Sequence, residues 1–147
     1  METHTSSDCT LTAFRDASMA FDAAYALFAK ACGLSESEYW SLLLVSEGVK
    51  TQSEISVRLS LSKQTLNSAF KSLVHKGLVR LEPLETNQRI KRIILTEAGE
   101  MFVKEHIARM HQLEEQAWQS LEEAERESLT RLTKKFSVLI KSALEQA

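Results

Sequence analysis

Apolar side chains recur at three- and four-residue spacing along most of the chain, and glycines mark where that spacing stops. Leu11, Phe14, Ser18, Phe21, Tyr25, Phe28 and Cys32 form one seam ending at Gly33. This is the pattern of a long helix with a partly aromatic face, closed by a glycine cap. Ser35-Glu36-Ser37-Glu38 has the form of a capping box, with Leu34 and Tyr39 placed as a hydrophobic staple. The helix it opens runs through Trp40 and Leu42–Val45 and stops at Gly48. Thr51-Gln52-Ser53-Glu54 is a second box, opening a short helix that buries Ile55 and Leu59. After a turn at Ser60-Leu61-Ser62, Ser62 caps a helix reaching His75 or Lys76 before Gly77.

Beyond Gly77 the period changes. Leu78-Val79-Arg80-Leu81 and Lys91-Arg92-Ile93-Ile94-Leu95 alternate in part and predict two strands, with residues 82–89, including the only proline, Pro83, as a polar hairpin tip. Thr96 caps a helix from Glu97 to about Gln119, carrying Val103, Ile107, Met110, Ala117 and Leu121 on one face. Leu121-Glu122-Glu123 breaks it, and a last helix presents Leu129, Leu132, Phe136, Leu139 and Ala143. The expected fold is mostly α with a small two-stranded β wing (α+β): a winged helix-turn-helix flanked by N- and C-terminal helices.

Composition narrows this reading. With 147 residues, 44% apolar content, four glycines and one proline, the chain suits one largely helical domain with a real core. No aliphatic run exceeds Leu42–Val45, so no membrane span is expected, and Met1-Glu2-Thr3-His4-Thr5-Ser6 lacks a leader's basic and apolar regions. A cytoplasmic location is expected. Cys9 and Cys32 are too few for a disulfide scaffold or zinc module.

The net charge of −2 hides an uneven distribution: −4 over residues 1–50, +5 over 51–96 and −3 over 97–147. A basic middle between acidic flanks suits a polyanion. Within it, Leu66, Ala69, Phe70 and Leu73 make a buried stripe on the helix after Ser62. Lys63, Gln64, Asn67, Ser68 and Lys71 occupy the opposite face, with no acid among them. Lys and Ser suit phosphates, whereas Gln and Asn can pair bidentately with adenine in the major groove.

At these residues the chain resembles the MarR family of winged-helix transcriptional regulators. The resemblance runs from about residue 10 to the C-terminus and is carried by Asn87-Gln88-Arg89 followed by Ile93-Ile94-Leu95-Thr96-Glu97-Ala98-Gly99, and by Leu73-Val74-His75-Lys76-Gly77-Leu78-Val79. The family's usual aspartate is Asn87 here. The resemblance implies that Arg89 enters the minor groove, that the terminal helices interlock as a two-fold dimer, and that a small aromatic, often anionic, effector binds between the dimer and DNA lobes. The residues themselves also predict a dimer, because the terminal helices carry more apolar surface than a winged helix alone buries.

The expected organisation is one domain over residues 1–147, with a DNA-binding lobe at 34–99 and dimerisation helices at 10–32 and 100–147. The expected function is a homodimeric repressor that binds a pseudo-palindromic operator and is released by an effector. Its partners are double-stranded DNA, a second copy of itself and that small molecule. The DNA-contact set comprises Thr51, Gln52, Lys63, Gln64, Thr65, Asn67, Ser68 and Lys71, with Arg89 and Lys91 on the wing. The effector's residues and identity are left open. The alternative is a winged-helix module that binds protein instead of DNA.

No metal or cofactor is expected. His106 and His111, five apart on one helix, are not placed as a ligand pair, even with Glu105 beside them. A thiol switch at Cys9 is conceivable but unsupported by Cys32, which reads as core or seam. The sequence has no phosphate-cradling glycine loop, nucleophile elbow or His-Glu-x-x-His helix, and the acids Glu122, Glu123, Glu125 and Glu127 fit a solvated helix start. Catalysis is not expected.

Overall fold

A computed structural model describes residues 7–147; Met1–Ser6, on which the leader reading rests, lie outside the described residues. The chain divides into two compact units, one ending at Ala108 and one spanning Arg109–Ala147.

In the first unit, a 3-10 turn (Ser7–Cys9) precedes α1 (Leu11–Ala31), α2 (Glu36–Ser46), α3 (Gln52–Leu59) and α4 (Lys63–His75). Strands β1 (Val79–Pro83) and β2 (Lys91–Leu95) follow, then α5 (Glu97–Phe102) and a π-helical turn at Val103–Ile107. The caps expected at Ser35, Thr51, Ser62 and Thr96 all form, and Thr10 caps α1 as well. The side chains of Thr10, Ser35, Thr51, Ser62 and Thr96 accept the backbone N–H of the residue three further on, satisfying a donor with no partner inside the helix.

Two capping details differ from expectation. Glu38, expected to reach back to the start of α2, is instead buried and pairs with Lys76 Nζ at 2.6 Å. That ion pair ties the start of α2 to the end of α4, because a buried carboxylate needs a charged partner more than a helix start needs a second acceptor. Glu54 takes the Thr51 hydroxyl at 3.0 Å rather than a backbone amide.

The core of this unit is built from Tyr39 and Leu42 of α2, Ile55 of α3, and Leu66, Phe70 and Leu73 of α4, all at most 2% exposed. Val79 and Ile93 close it from the strands. The strands pair antiparallel from Val79↔Leu95 to Pro83↔Lys91, so β1 includes the proline expected in the tip. At a strand end its missing N–H breaks no ladder bond that the sheet requires. A bridge between Thr51 and Arg92, with Ile93 N–H donating to Lys50 O at 2.8 Å, adds a third short segment to the wing's base.

The α1 seam is divided. Tyr25 and Phe28 pack against Tyr39 and Trp40 of α2 with ring centroids 5.3–6.4 Å apart. Leu11 and Phe14, in the same stripe, are about half exposed.

The second unit holds α6 (Ala108–Gln119, whose first residue belongs to the first unit) and α7 (Glu123–Glu145). Glu122 and Glu125 form a complete capping box at the start of α7. None of the 23 residues of α7 is buried. Among the described residues, no helix is long and apolar enough to cross a membrane.

Candidate nucleic-acid interface

The turn between α3 and α4 sets the angle at which α4 is presented. Ser60 ends α3 in the left-handed region, at φ 52°, the only non-glycine residue with positive φ among those described. Leu61 N–H donates to Ser56 O, and Ser56 Oγ donates to Leu61 O at 2.8 Å. These bonds lock the turn without a glycine, whose greater freedom would cost entropy on folding.

α4 then buries Leu66, Ala69, Phe70 and Leu73 and exposes Lys63, Gln64, Thr65, Asn67, Ser68 and Lys71. Not all of these offer free polar groups. Ser68 Oγ donates to Gln64 O at 3.1 Å, and Thr65 Oγ1 accepts from Ser62 Oγ at 2.9 Å. Thr51, half-buried, spends its hydroxyl on Glu54; Gln52 is half-buried beside it. On the exposed face of α4, the side chains of Lys63, Gln64, Asn67 and Lys71 make no hydrogen bond among the described residues.

On the wing, Arg89 and Lys91 are exposed. Asn87, which stands where the resembled family usually has aspartate, accepts the backbone N–H of Arg89 on its Oδ1 at 3.0 Å. Ile90 N–H donates to Asn87 O, and Leu84 N–H to Ile90 O. Asn87 therefore shapes the backbone of the tip and leaves the guanidinium free.

Ion pairing sorts the basic surplus. Lys76 is committed to Glu38 and Arg80 to Glu82. Lys63, Lys71, Arg89, Lys91 and Arg92 have no ion pair among the described residues. Within residues 51–96, Arg58 on α3 also has no ion pair among the described residues; the other five lie on α4 and the wing, where a polyanion can reach them without first breaking a bond.

The expectation of an uncommitted wing tip makes a prediction. Asn87→Asp supplies the same acceptor to the Arg89 amide, so duplex affinity should change by less than about threefold, whereas Arg89→Ala should weaken binding most where the flanks are A·T-rich. Fluorescence anisotropy on two duplexes of different flank composition measures both. A loss above about tenfold for Asn87→Asp would place residue 87 itself against phosphate.

The sequence reading left open a groove of about 680 Å³ lined by Phe21, Asp22, Tyr25, Glu36, Ser37, Trp40, Arg58, Leu59 and Leu61. Its signal was present in the aromatic positions of the α1 seam, but the seam pattern does not show which of them α2 covers. A second cavity, about 450 Å³, lies between the start of α2 (Ser35, Ser37, Glu38) and α4 (Gln64, Thr65, Ser68, Ala69).

Burial pushes the Cys32 thiol up from its ordinary value, which lowers the thiolate fraction; Cys9 is exposed. His106 stacks on Phe102 with centroids 4.6 Å apart, and His111 Nδ1 lies 3.7 Å from Glu114 Oε2. Among the described residues, no three His, Cys, Asp or Glu side chains come together as a metal site.

The elements from α2 to β2, with the recognition helix α4 beside a wing, define a winged helix-turn-helix protein. The MarR family model matches residues 33–90, the stretch from the end of the first helix to the wing. Three solved structures share the fold over 88–95% of the chain. The Staphylococcus aureus MepR–DNA complex is 22% identical, with TM-score 0.70, covering 88% of this chain and 98% of its own. The Mycobacterium tuberculosis regulator MosR in complex with DNA is 22% identical, with TM-score 0.65, covering 95% and 98%. The Sulfolobus solfataricus transcriptional regulator BldR is 21% identical, with TM-score 0.70, covering 93% and 99%. No curated protein matches the sequence.

Proposed function

We propose that this protein is a homodimeric, DNA-binding transcriptional repressor that reads a pseudo-palindromic operator and is released by a small effector. The observation that carries the reading is α4: an exposed face without an acid, opposite a fully buried stripe and next to a wing of unpaired cations. Residues 34–99 act as the DNA lobe, and residues 10–32 and 100–147 as dimerisation helices. The uncovered stripes of α1 and α7 support the dimer. The MepR and MosR structures, which hold DNA, support the partner, and the MepR-like protein solved with pseudoligands supports an effector. The groove between α1, α2 and the end of α3 is the effector's place in this reading.

The work is divided by side chain. Gln64 and Asn67 read base edges, while Lys63, Lys71 and Lys91 hold phosphates and Arg89 enters the minor groove. Gln64→Ala or Asn67→Ala should cost about 1–3 kcal/mol against the correct bases only, and Lys71→Ala should weaken all duplexes alike and flatten the salt slope by about one unit. Equal loss of specific and non-specific binding in the Gln64 and Asn67 variants would contradict these roles. Selection from a random duplex pool tests the function itself. It should return a pseudo-palindrome with half-site centres about 10 base pairs apart, and recovery of no enriched sequence would favour the protein-binding alternative.

A further inference from the structure

We infer that the effector groove takes a lipophilic aromatic cation rather than the aromatic anion the family resemblance implies; the inference rests on the effector reading above and names its chemical class. The groove's walls are aromatic. Tyr25 stands edge-on to Phe21 with centroids 5.0 Å apart and tilted against Trp40 at 5.3 Å, and Trp40 is edge-on to Tyr39 at 5.2 Å. Phe21 is 58% exposed and Trp40 is half-buried, so their ring surface remains open to a ligand. Ring faces carry the negative part of the aromatic quadrupole and attract a cation within about 6 Å of the centroid.

The charges point the same way. Asp22 and Glu36 line the groove against the single cation Arg58. Among the described residues, none of the three takes part in an ion pair or side-chain hydrogen bond. An organic anion would meet one guanidinium and two carboxylates; a cation meets the reverse. The positive end of α2 also lies here and would favour an anion, but Glu36 stands in that first turn and Ser35 already accepts the Glu38 amide.

The site is also placed to affect DNA binding. Leu59 and Leu61 flank the left-handed Ser60 and directly precede Ser62, the cap of α4. Ser37 lines both this groove and the cavity beside Gln64, Thr65 and Ser68. A ligand that fixes the α3–α4 turn in a position unlike the one DNA selects must lower duplex affinity by the factor by which DNA lowers its own.

Two ions of one shape and opposite charge test the proposal. Tetraphenylphosphonium and tetraphenylborate present the same apolar surface, so their affinity ratio isolates charge. In the full chain carrying Trp118→Phe, Trp40 is the remaining tryptophan and its fluorescence reports the groove. The phosphonium should quench it saturably and bind at least about tenfold more tightly than the borate. Asp22→Asn combined with Glu36→Gln should bring the ratio near one with duplex binding retained, and Arg58→Ala should widen it. Equal affinities, a preference for the borate, a ratio unmoved by the double substitution, or no quenching by either ion would overturn the inference. Salt-dependent duplex binding is measured on the same sample: if it persists under those outcomes, only the inference fails, and if it is absent, the regulator reading fails with it.

Discussion

Gly99→Ala is expected to lower stability by about 3 kcal/mol or more, a large part of what a domain of this size possesses. The glycine lies in the first turn of α5 with no unusual backbone angle; its requirement is space. A Cβ there would stand 1.9 Å from Leu78 O, 2.9 Å from Leu78 C and 3.3 Å from Leu95 Cδ2. The obstructing atom is a backbone carbonyl already in use, since it accepts the Thr96 N–H at 3.1 Å. Thr96 Oγ1 meanwhile donates to Gly77 O and accepts from Gly99 N–H. The Leu-Thr-x-x-Gly run at residues 95–99 is therefore the clasp joining the end of α4, the base of β1 and the start of α5. The added methyl cannot be accommodated without opening it. Thermal unfolding followed by circular dichroism should show Tm lowered by roughly 10 °C. A change below about 2 °C would mean that α5 can move off Leu78 freely.

The second large effect concerns α7. Leu132→Glu together with Leu139→Glu should convert the dimer into monomers and reduce operator affinity at least about a hundredfold, since a monomer engages one half-site. The 23-residue helix has Leu129, Leu132 and Leu139 on a stripe at three- and four-residue spacing, each about half exposed, with Val138, Ile140 and Leu144 exposed beyond it. Burying a leucine contributes about 1.5–3 kcal/mol, so a stripe of this length left in water would be a large loss, which the proposed second copy would recover. On α1, Leu11, Met19 and Leu27 are exposed in the same way. Multi-angle light scattering at micromolar concentration distinguishes the outcomes. A double variant that remains dimeric, or a native chain that is monomeric yet binds its site one-to-one, would remove the two-fold account.

What was legible in the sequence was legible because it was local. Caps act over three residues, and a serine or threonine before an apolar run announced the starts of α2, α3, α4 and α5; Gly33, Gly48 and Gly77 take the positive φ their helix ends require. The buried stripe of α4 followed from spacing alone. What was missed depends on pairs distant along the chain. Glu38 could serve a capping box or a partner 38 residues away, and only packing decides that Lys76 takes it. The π turn at Val103–Ile107 interrupts an apolar pattern that reads as one continuous helix, because a single inserted residue barely shifts a 3.6-residue period. The same limit hid the aromatic groove, where the α1 seam is uniform along the chain but covered by α2 only toward its C-terminal end. At Asn87 the motif gave the position, but only the fold of the tip shows that its side chain takes the Arg89 amide.

The central claim is that unpaired cations on α4 and the wing meet phosphates of duplex DNA, and the salt dependence of binding tests it most directly. Lys63, Lys71, Arg89, Lys91 and Arg92 from each of two protomers could neutralise enough phosphates for log Kobs to fall steeply and linearly with log salt. The account predicts a loss of about a thousandfold or more between about 50 and about 200 mM salt. Binding to a selected duplex that is absent, or that stays within about threefold over that range, would contradict it.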